Sequence, residues 1–237
     1  YLNELRDKGK SYATNALIYQ HYPSEEISEL TSEFSRNFHM LAIGWGFFDD
    51  GVISIAHDAA NHIADRNLYV NNNKLTNELD TIPVFICANG PSLDSSISTI
   101  KNYKDKSIIV SCGTALTALL KEAIQPDFHV EIERTQVTTN WLTKFFDKDA
   151  LRKINYLTTN VMHPKSFDLF DWSGMAFKMS EPGTVISYEL MSDGRNFSPI
   201  RYCNPTVGNT GLSFFLEFGF KEVYLFGLDC GYRNKSH

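Results

Sequence analysis

Two patterns of apolar residues divide this chain of 237 residues. From residue 82 onward, short unbroken apolar runs (82–88, 107–112, 127–132, 154–159 and 221–227) alternate with segments of helical spacing. Runs of that length, rich in Val, Ile, Phe and Tyr, read as strands buried on both faces. Residues 114–123 and 211–218 carry the helical spacing, and Gly219 is a natural C-terminal stop for the second of them. The alternation predicts an α/β fold: a Rossmann-like, mostly parallel sheet with helices on both faces.

Upstream the pattern is weaker. Ala16, Leu17 and Tyr19, then Ile27, Leu30 and Phe34, fall at helical spacing, with Pro23-Ser24-Glu25-Glu26 as a helix start in which Ser24 caps. Met40-Leu41-Ala42-Ile43 reads as a short buried strand, and Gly44-Trp45-Gly46 as the turn after it. Ile53, Ala56, His57, Ala60, Ile63 and Ala64 predict an amphipathic helix. The polar run Asn71-Asn72-Asn73-Lys74 reads as a loop and places a domain boundary near residues 66–80. The expected organisation is part of a smaller α/β N-terminal domain with its linker over 1–75, then the Rossmann-like core over 76–237. A start at Tyr1 without Met and a stop at His237 suggest an ordered piece of a longer protein, with the C-terminal part of the core missing.

Composition narrows the function classes. A hydrophobic content of 43% is that of a globular domain, and a formal charge of −6 supplies no net positive field for nucleic acid. No stretch of 18 apolar residues crosses a membrane, and no leader precedes the first helix. Cys87, Cys112, Cys203 and Cys230 are widely spaced and form no C-x-x-C pair, so reduced cysteines and a soluble, cytoplasmic protein are expected. Cys87 and Cys230 sit in apolar runs that read as buried strands.

The candidate chemistry lies where strands end. Asn89-Gly90-Pro91-Ser92-Leu93-Asp94 joins a strand to a helix, and free N–H groups at a helix start suit an anion such as a phosphate. A tight turn with no ligand accounts for the same residues equally well. The segment lacks the G-x-G-x-x-G pattern, which argues against a nicotinamide enzyme. Cys112-Gly113-Thr114 repeats the arrangement after the next strand; two such turns would line one crevice in an open parallel sheet, and an ordinary loop glycine accounts for Gly113 equally well. The run from Asp127 to Arg134 alternates acids and His129 with apolar residues. Glu133 and Arg134 at its end suit a pocket floor where Arg134 neutralises a phosphate or carboxylate, whereas an edge strand with a solvated face is the plainer reading. Thr206 to Gly211 brings hydroxyl, amide and backbone donors to another helix start. Gly227-Leu228-Asp229 and Tyr232 add a carboxylate and a phenol, and His237 follows in a polar tail.

Taken in order, these segments resemble the motility-associated factor (Maf) family of flagellin glycosyltransferases over about residues 80–237, and more weakly from residue 40. The Asn-Gly-Pro-Ser-Leu and Gly-Leu-Asp blocks are also similar to those of bacterial sialyltransferases that use CMP-sialic acid. The resemblance implies transfer of a nonulosonic acid (pseudaminic, legionaminic or sialic-like) from its CMP-activated donor to Ser or Thr hydroxyls of flagellin, with no metal and no other cofactor. It implies that Asn89, Gly90, Pro91, Ser92 and Leu93 hold the CMP phosphate or ribose. Asn209, Thr210 and Gly211 would meet the cytidine and the sugar carboxylate, with Glu133 near them. Tyr232 and Asp229 would serve the departing phosphate, and His237 matches a general base. The sialyltransferases carry Asn where this chain has Gly113, so donor recognition there differs or is shared with Thr114. A related branch with the same Gly-Pro-Ser-Leu core resembles archaeal pterin pyrophosphokinases, which transfer diphosphate from ATP and need Mg²⁺. A binding module for flagellin or a nucleotide, without catalysis, is the third reading.

Overall fold

The structure, a computed structural model, describes residues 19, 21–22, 24–37, 47–69, 81–179, 181–190 and 199–231. The expected strand over 40–43, its turn at 44–46, the loop at 71–74, Tyr232 and His237 lie outside the described residues, as do Ala16 and Leu17.

In chain order the helices are α1 (Glu25–Asn37), α2 (Phe48–Ile63), α3 (Ser92–Tyr103), α4 (Ala115–Lys121), α5 (Gln136–Phe145), α6 (Lys148–Arg152), α7 (Pro164–Phe167), α8 (Pro182–Leu190) and α9 (Val207–Phe218). The strands are β1 (Asn67–Leu68), β2 (Val84–Cys87), β3 (Ile108–Cys112), β4 (Phe128–Val130), β5 (Asn155–Thr159), β6 (Ser173–Ala176) and β7 (Val223–Phe226). They form one sheet in the order β1-β6-β5-β4-β3-β2-β7, with every neighbouring pair parallel. Parallel pairing needs a crossover after each strand, so every strand ends at the same edge of the sheet. The fold is the α/β fold with the parallel, Rossmann-like sheet read from the sequence.

Alternation along the strands sorts the core into two layers. Val84, Ile86, Val110, Cys112 and Val130 face Phe214 and Phe215 of α9. Phe85, Cys87 and Ile109 face Leu93 and Ile100 of α3 and Leu119 of α4. Further along that second face, Tyr156 and Met175 pack with Leu142, Leu151 and Phe167. Gly211 is where α9 comes closest to the sheet, because a methyl group there would lie 2.7 Å from Cys112 Sγ.

Several expectations change. β4 is the central strand, and His129 is fully buried. The edge-strand reading of residues 127–132 therefore fails: His129 and Glu131 turn into the helix-covered face, and only Asp127, ahead of the strand, stays exposed. β7 is the exposed edge instead, with Tyr224 and Leu225 about half exposed. Cys87, Cys112 and Cys203 are buried, but Cys230 lies exposed beyond β7. Burial pushes the Cys87 thiol up to about 12 and holds the Cys112 thiol well above its ordinary value. β6 and β1 were not legible in the sequence, being four residues ending in small side chains and only two residues. β1 pairs with β6, and α2 packs on α8, so the expected boundary near 66–80 does not separate residues 47–69 from the core.

The helix expected over 53–64 is present as α2, but inside out. Its buried residues are Ser54, Asp58 and Asn61, while Val52, Ile55 and Ile63 are exposed. Partners on the core explain the inversion. Asn61 Nδ2 donates to the carbonyls of Asn160 (2.8 Å) and Met162 (2.9 Å), and Asp58 accepts from Asn160 Nδ2 at 2.6 Å and from Ser187 Oγ. Polar groups satisfied in this way are buried at little cost, and unsatisfied carbonyls at the strand ends would cost more.

The Gly211 contact gives a stability test. Gly211→Ala is expected to lower stability in urea by about 1–3 kcal/mol through overpacking against Cys112. Cys112→Ala in the same chain is expected to recover part of that loss, and strictly additive losses would refute the contact as the cause.

Candidate active site

The described loops that the sequence singled out, after β2, β3, β4 and β7 and before α9, reach the edge where the strands end. The chain runs from β2 through β3, β4 and β5 to β6 on one side, then returns to place β7 on the other side of β2. The reversal between β2 and β7 is a topological switch point, where open α/β sheets bind ligands.

Here the protein fills the switch point itself. Ala88 N–H donates to Phe226 O (2.8 Å), and Gly90 N–H to Gly227 O (2.7 Å). A methyl group at Gly90 would lie 2.3 Å from Asp229 O, so glycine is required by the neighbouring loop whether or not a ligand comes near. Gly227 is left-handed at φ +65 and passes as closely beneath Ala88 O. The Asp229 carboxylate takes the Ser92 N–H at 3.1 Å and the Ser92 hydroxyl as well. A carboxylate thus sits at the positive start of α3, the place where the sequence suggested a phosphate.

This reassigns several residues. The amides of Gly90 and Ser92 are engaged by the β7 loop, and Leu93 N–H donates to Gly90 O (3.0 Å). Pro91 has no N–H to offer, and the Leu93 side chain is core. The loop is a clamp between β2 and β7 rather than an open anion cradle. Thr210 is fully buried and donates its hydroxyl to Cys203 O (2.8 Å), while Gly211 packs on Cys112. Neither points a group into the crevice, because α9 lies too close to the sheet.

What faces outward is smaller. Asn89 and Thr114 are exposed, and Asn89 Nδ2 donates to Thr114 Oγ1 across 3.1 Å, joining the loops after β2 and β3. Thr206 accepts the Asn209 N–H (3.4 Å) and donates to Asn209 Oδ1 (2.6 Å), capping α9 in its half-open first turn. Gly113 lies between these pairs at φ +56, with Val207 Cγ1 3.1 Å and Glu131 Oε1 4.0 Å from where a Cβ would be. Asn is the side chain that best tolerates this left-handed backbone, so Asn in place of Gly113 is first a matter of conformation. Glu133 is exposed and accepts the Thr135 N–H at 3.3 Å.

Sequence reasoning missed the buried ionic set beside this crevice. Arg134 grips Glu181 with two guanidinium nitrogens, each at 2.8 Å, and Lys178 Nζ reaches the same carboxylate at 2.7 Å. Ser54 Oγ donates to Glu181 at 3.0 Å, and Arg134 also reaches Asp50 O at 3.0 Å. Arg134 does neutralise a carboxylate, but one supplied by the chain. Its partners stand 47 and 80 or more residues away in sequence, so no local motif announces them. Ser111, His129 and Glu131 also line up, with Ser111 Oγ 2.9 Å from His129 Nδ1 and His129 Nε2 3.4 Å from Glu131 Oε1. Both Ser111 and His129 are fully buried in mid-sheet, so this row is part of the core.

Among the described residues, no group of three or more His, Cys, Asp or Glu is arranged to hold a metal ion, and no helix is long and apolar enough to cross a membrane.

Comparison with known proteins adds three findings. The family described as 6-hydroxymethylpterin diphosphokinase MptE-like matches residues 60–235. The solved Maf glycosyltransferase from Magnetospirillum magneticum AMB-1 is 31% identical over 91% of this chain, with a TM-score of 0.67. The chain spans about a third (33%) of the length of that protein. No curated protein matches the sequence.

Two predictions test this geometry. Asp229→Ala is expected to cost about 1 kcal/mol in urea, as for loss of a helix cap. With Ser92→Ala it should show a coupling of about 0.5 kcal/mol or more, and additivity would mean the clamp is not formed. Acid sensitivity is the second. Burial lowers the pKa of both His57, whose Nδ1 is 3.1 Å from Val161 O, and His163, whose ring packs edge-on 5.0 Å from it. The unfolded chain therefore binds these protons more readily, and stability is lost as pH falls below about 6.5. The Asp58 hydrogen bond raises His62, which contributes in the opposite sense: its stabilisation is present below about 6.5 and lost as pH rises through its raised value. His57→Gln should accordingly lose less stability than the parent between about pH 7 and 5 in urea titrations; an equal loss would contradict the assignment.

Proposed function

The chain belongs to the MptE-like family, and on that premise we propose that it carries the donor-binding core of a glycosyltransferase acting on flagellin. The donor would be a CMP-activated nonulosonic acid, and the acceptors Ser or Thr hydroxyls. The observation that carries the reading is the extended match to a solved Maf glycosyltransferase, 31% identical over 91% of this chain. The loops after β2, β3 and β7 and the start of α9 lie at the same edge, as a nucleotide-sugar site requires.

In the proposed step, an acceptor hydroxyl oxygen bonds to the anomeric carbon while the bond from that carbon to the phosphate oxygen breaks. CMP leaves with the electron pair, and the hydroxyl proton passes to a base. The transition state is oxocarbenium-like, so the leaving phosphate needs donors and the acceptor needs a proton acceptor. Since Asp229 holds the start of α3, we place the CMP group beside the clamp, at Asn89, Thr114 and Asn209. Tyr232 would donate to the leaving phosphate and His237 would take the proton. Glu133 would orient the sugar. The reaction takes place in the cytoplasm and uses no metal.

The family's description favours a second reading, transfer of diphosphate from ATP to a hydroxymethylpterin. Thermal denaturation with CMP, with ATP–Mg²⁺ and with buffer separates the two. CMP alone is expected to raise the midpoint, by about 2.7 kcal/mol of stability at a hundredfold excess over Kd. Stabilisation by ATP–Mg²⁺ and not by CMP would decide for diphosphate transfer. The intact mass of flagellin coexpressed with the full-length protein and the sugar pathway should rise by whole nonulosonic acid units, and His237→Ala should abolish the rise.

A further inference from the structure

A cleft of about 690 Å³ lies between α3 and α4, on the sheet face opposite α9. Asn89 and Thr114 form its inner end, so it opens directly onto the crevice described above. The far end is closed by Lys101, whose Nζ reaches Glu122 at 2.7 Å. Its volume is that of a ligand site, and nothing in the core explains it: the floor is Ile97 and Ala118, and the walls carry the short hydroxyl side chains Ser98 and Thr117.

We propose that this cleft is the groove for the acceptor polypeptide, holding an extended stretch of it so that a hydroxyl enters the crevice past Asn89 and Thr114, toward the anomeric carbon of the donor. The proposal rests on the glycosyltransferase reading and names where its protein substrate lies. Four features of the lining select an extended polypeptide. Lys101 and Lys121 are balanced by Asp94 and Glu122, so the groove attracts neither a polyanion nor a polycation. No aromatic side chain lines it, which removes the stacking platform that a nucleobase requires and on which sugar rings commonly pack. The Asn89 amide at the inner end and the hydroxyls of Ser98 on one wall and Thr114 and Thr117 on the other suit the N–H and C=O groups of an extended backbone, and the aliphatic floor suits one small apolar side chain. The run along α3 from Asp94 to Lys101 is about 10 Å at about 1.5 Å per residue, which accommodates about three extended residues. The ion pair of Lys101 and Glu122 then sets the length of the bound stretch.

Ser98 is exposed on the cleft wall, and Thr99 is exposed away from it, so both accept a large side chain without disturbing the core. In the full-length protein, with CMP-pseudaminic acid as donor and flagellin as acceptor, Ser98→Trp is expected to raise the KM for flagellin at least tenfold. Hydrolysis of the donor in the absence of flagellin should stay at the parental rate, and Thr99→Trp should match the parent in both. An unchanged KM in Ser98→Trp overturns the groove. If filling the cleft impairs transfer to a soluble oligosaccharide and not to flagellin, the occupant is a glycan and the proposal falls. A photocrosslinking residue at position 98, with position 99 as control, reads occupancy without turnover. Crosslinking to flagellin from 98 alone supports the groove, and its absence overturns it. A parent protein that releases no CMP from the donor overturns the glycosyltransferase reading, and is thereby distinguished from a groove that is wrongly placed.

Discussion

The close approach of the β2 and β7 loops is the constraint on which the rest of this edge of the molecule depends. Ala88 and Gly90 donate to Phe226 and Gly227, and the Ser92 amide and hydroxyl bind the Asp229 carboxylate. Only a residue without Cβ fits at Gly90, and only a left-handed residue at Gly227. These contacts fix the start of α3 relative to the end of the sheet. They thereby fix the position of Asn89, and through its hydrogen bond that of Thr114 on the next loop. A helix start that would bind a free anion is satisfied internally, and the outward-facing polar groups are shifted one strand over, to the β2–β3 boundary.

The other half of the edge is held by charge. Glu181 is shared by Arg134, Lys178 and Ser54, all buried, which ties the loops after β4 and β6 to α2. Removing such charges from water is costly, and an apolar substitute is often as stable, so the arrangement contributes chiefly to a fixed geometry. It also accounts for the polarity of α2. With carboxylate, amide and carbonyl groups waiting on the core, the helix turns Ser54, Asp58 and Asn61 inward and leaves Val52, Ile55 and Ile63 outside. Gly183 permits the approach, since a methyl group there would meet Ser54 O at 2.9 Å.

The two ends of the crevice therefore rest on different physics. At β2–β7 the backbone packs tightly through glycines and leaves no room. At β4–β6 the buried charges of Arg134, Lys178 and Glu181 compensate one another. Between them, Gly113 carries the chain through a left-handed turn close to both Val207 and Glu131. A cleft lies beyond this turn, along α3 and α4, where short Ser and Thr side chains do not fill the gap between two helices.

The sequence by itself determined the parallel sheet and the edge where its chemistry gathers. Unbroken apolar runs such as 82–88 and 107–112 have no stable position except between two helical layers. Parallel order then places the residues after them on one side. Local spacing also located α4 and α9, and Gly219 as the stop of the second, at φ +100. Tertiary structure alone decided which of these loop residues stay available. Whether Gly90 and Ser92 meet a phosphate or Asp229 depends on a residue 137 positions from Ser92, and whether Gly211 meets a ligand or Cys112 depends on how closely α9 seats. The inward face of α2 likewise depends on partners about 100 residues later. Periodicity records which side chains differ from their neighbours; whether the polar or the apolar side turns inward is settled by what waits across the interface.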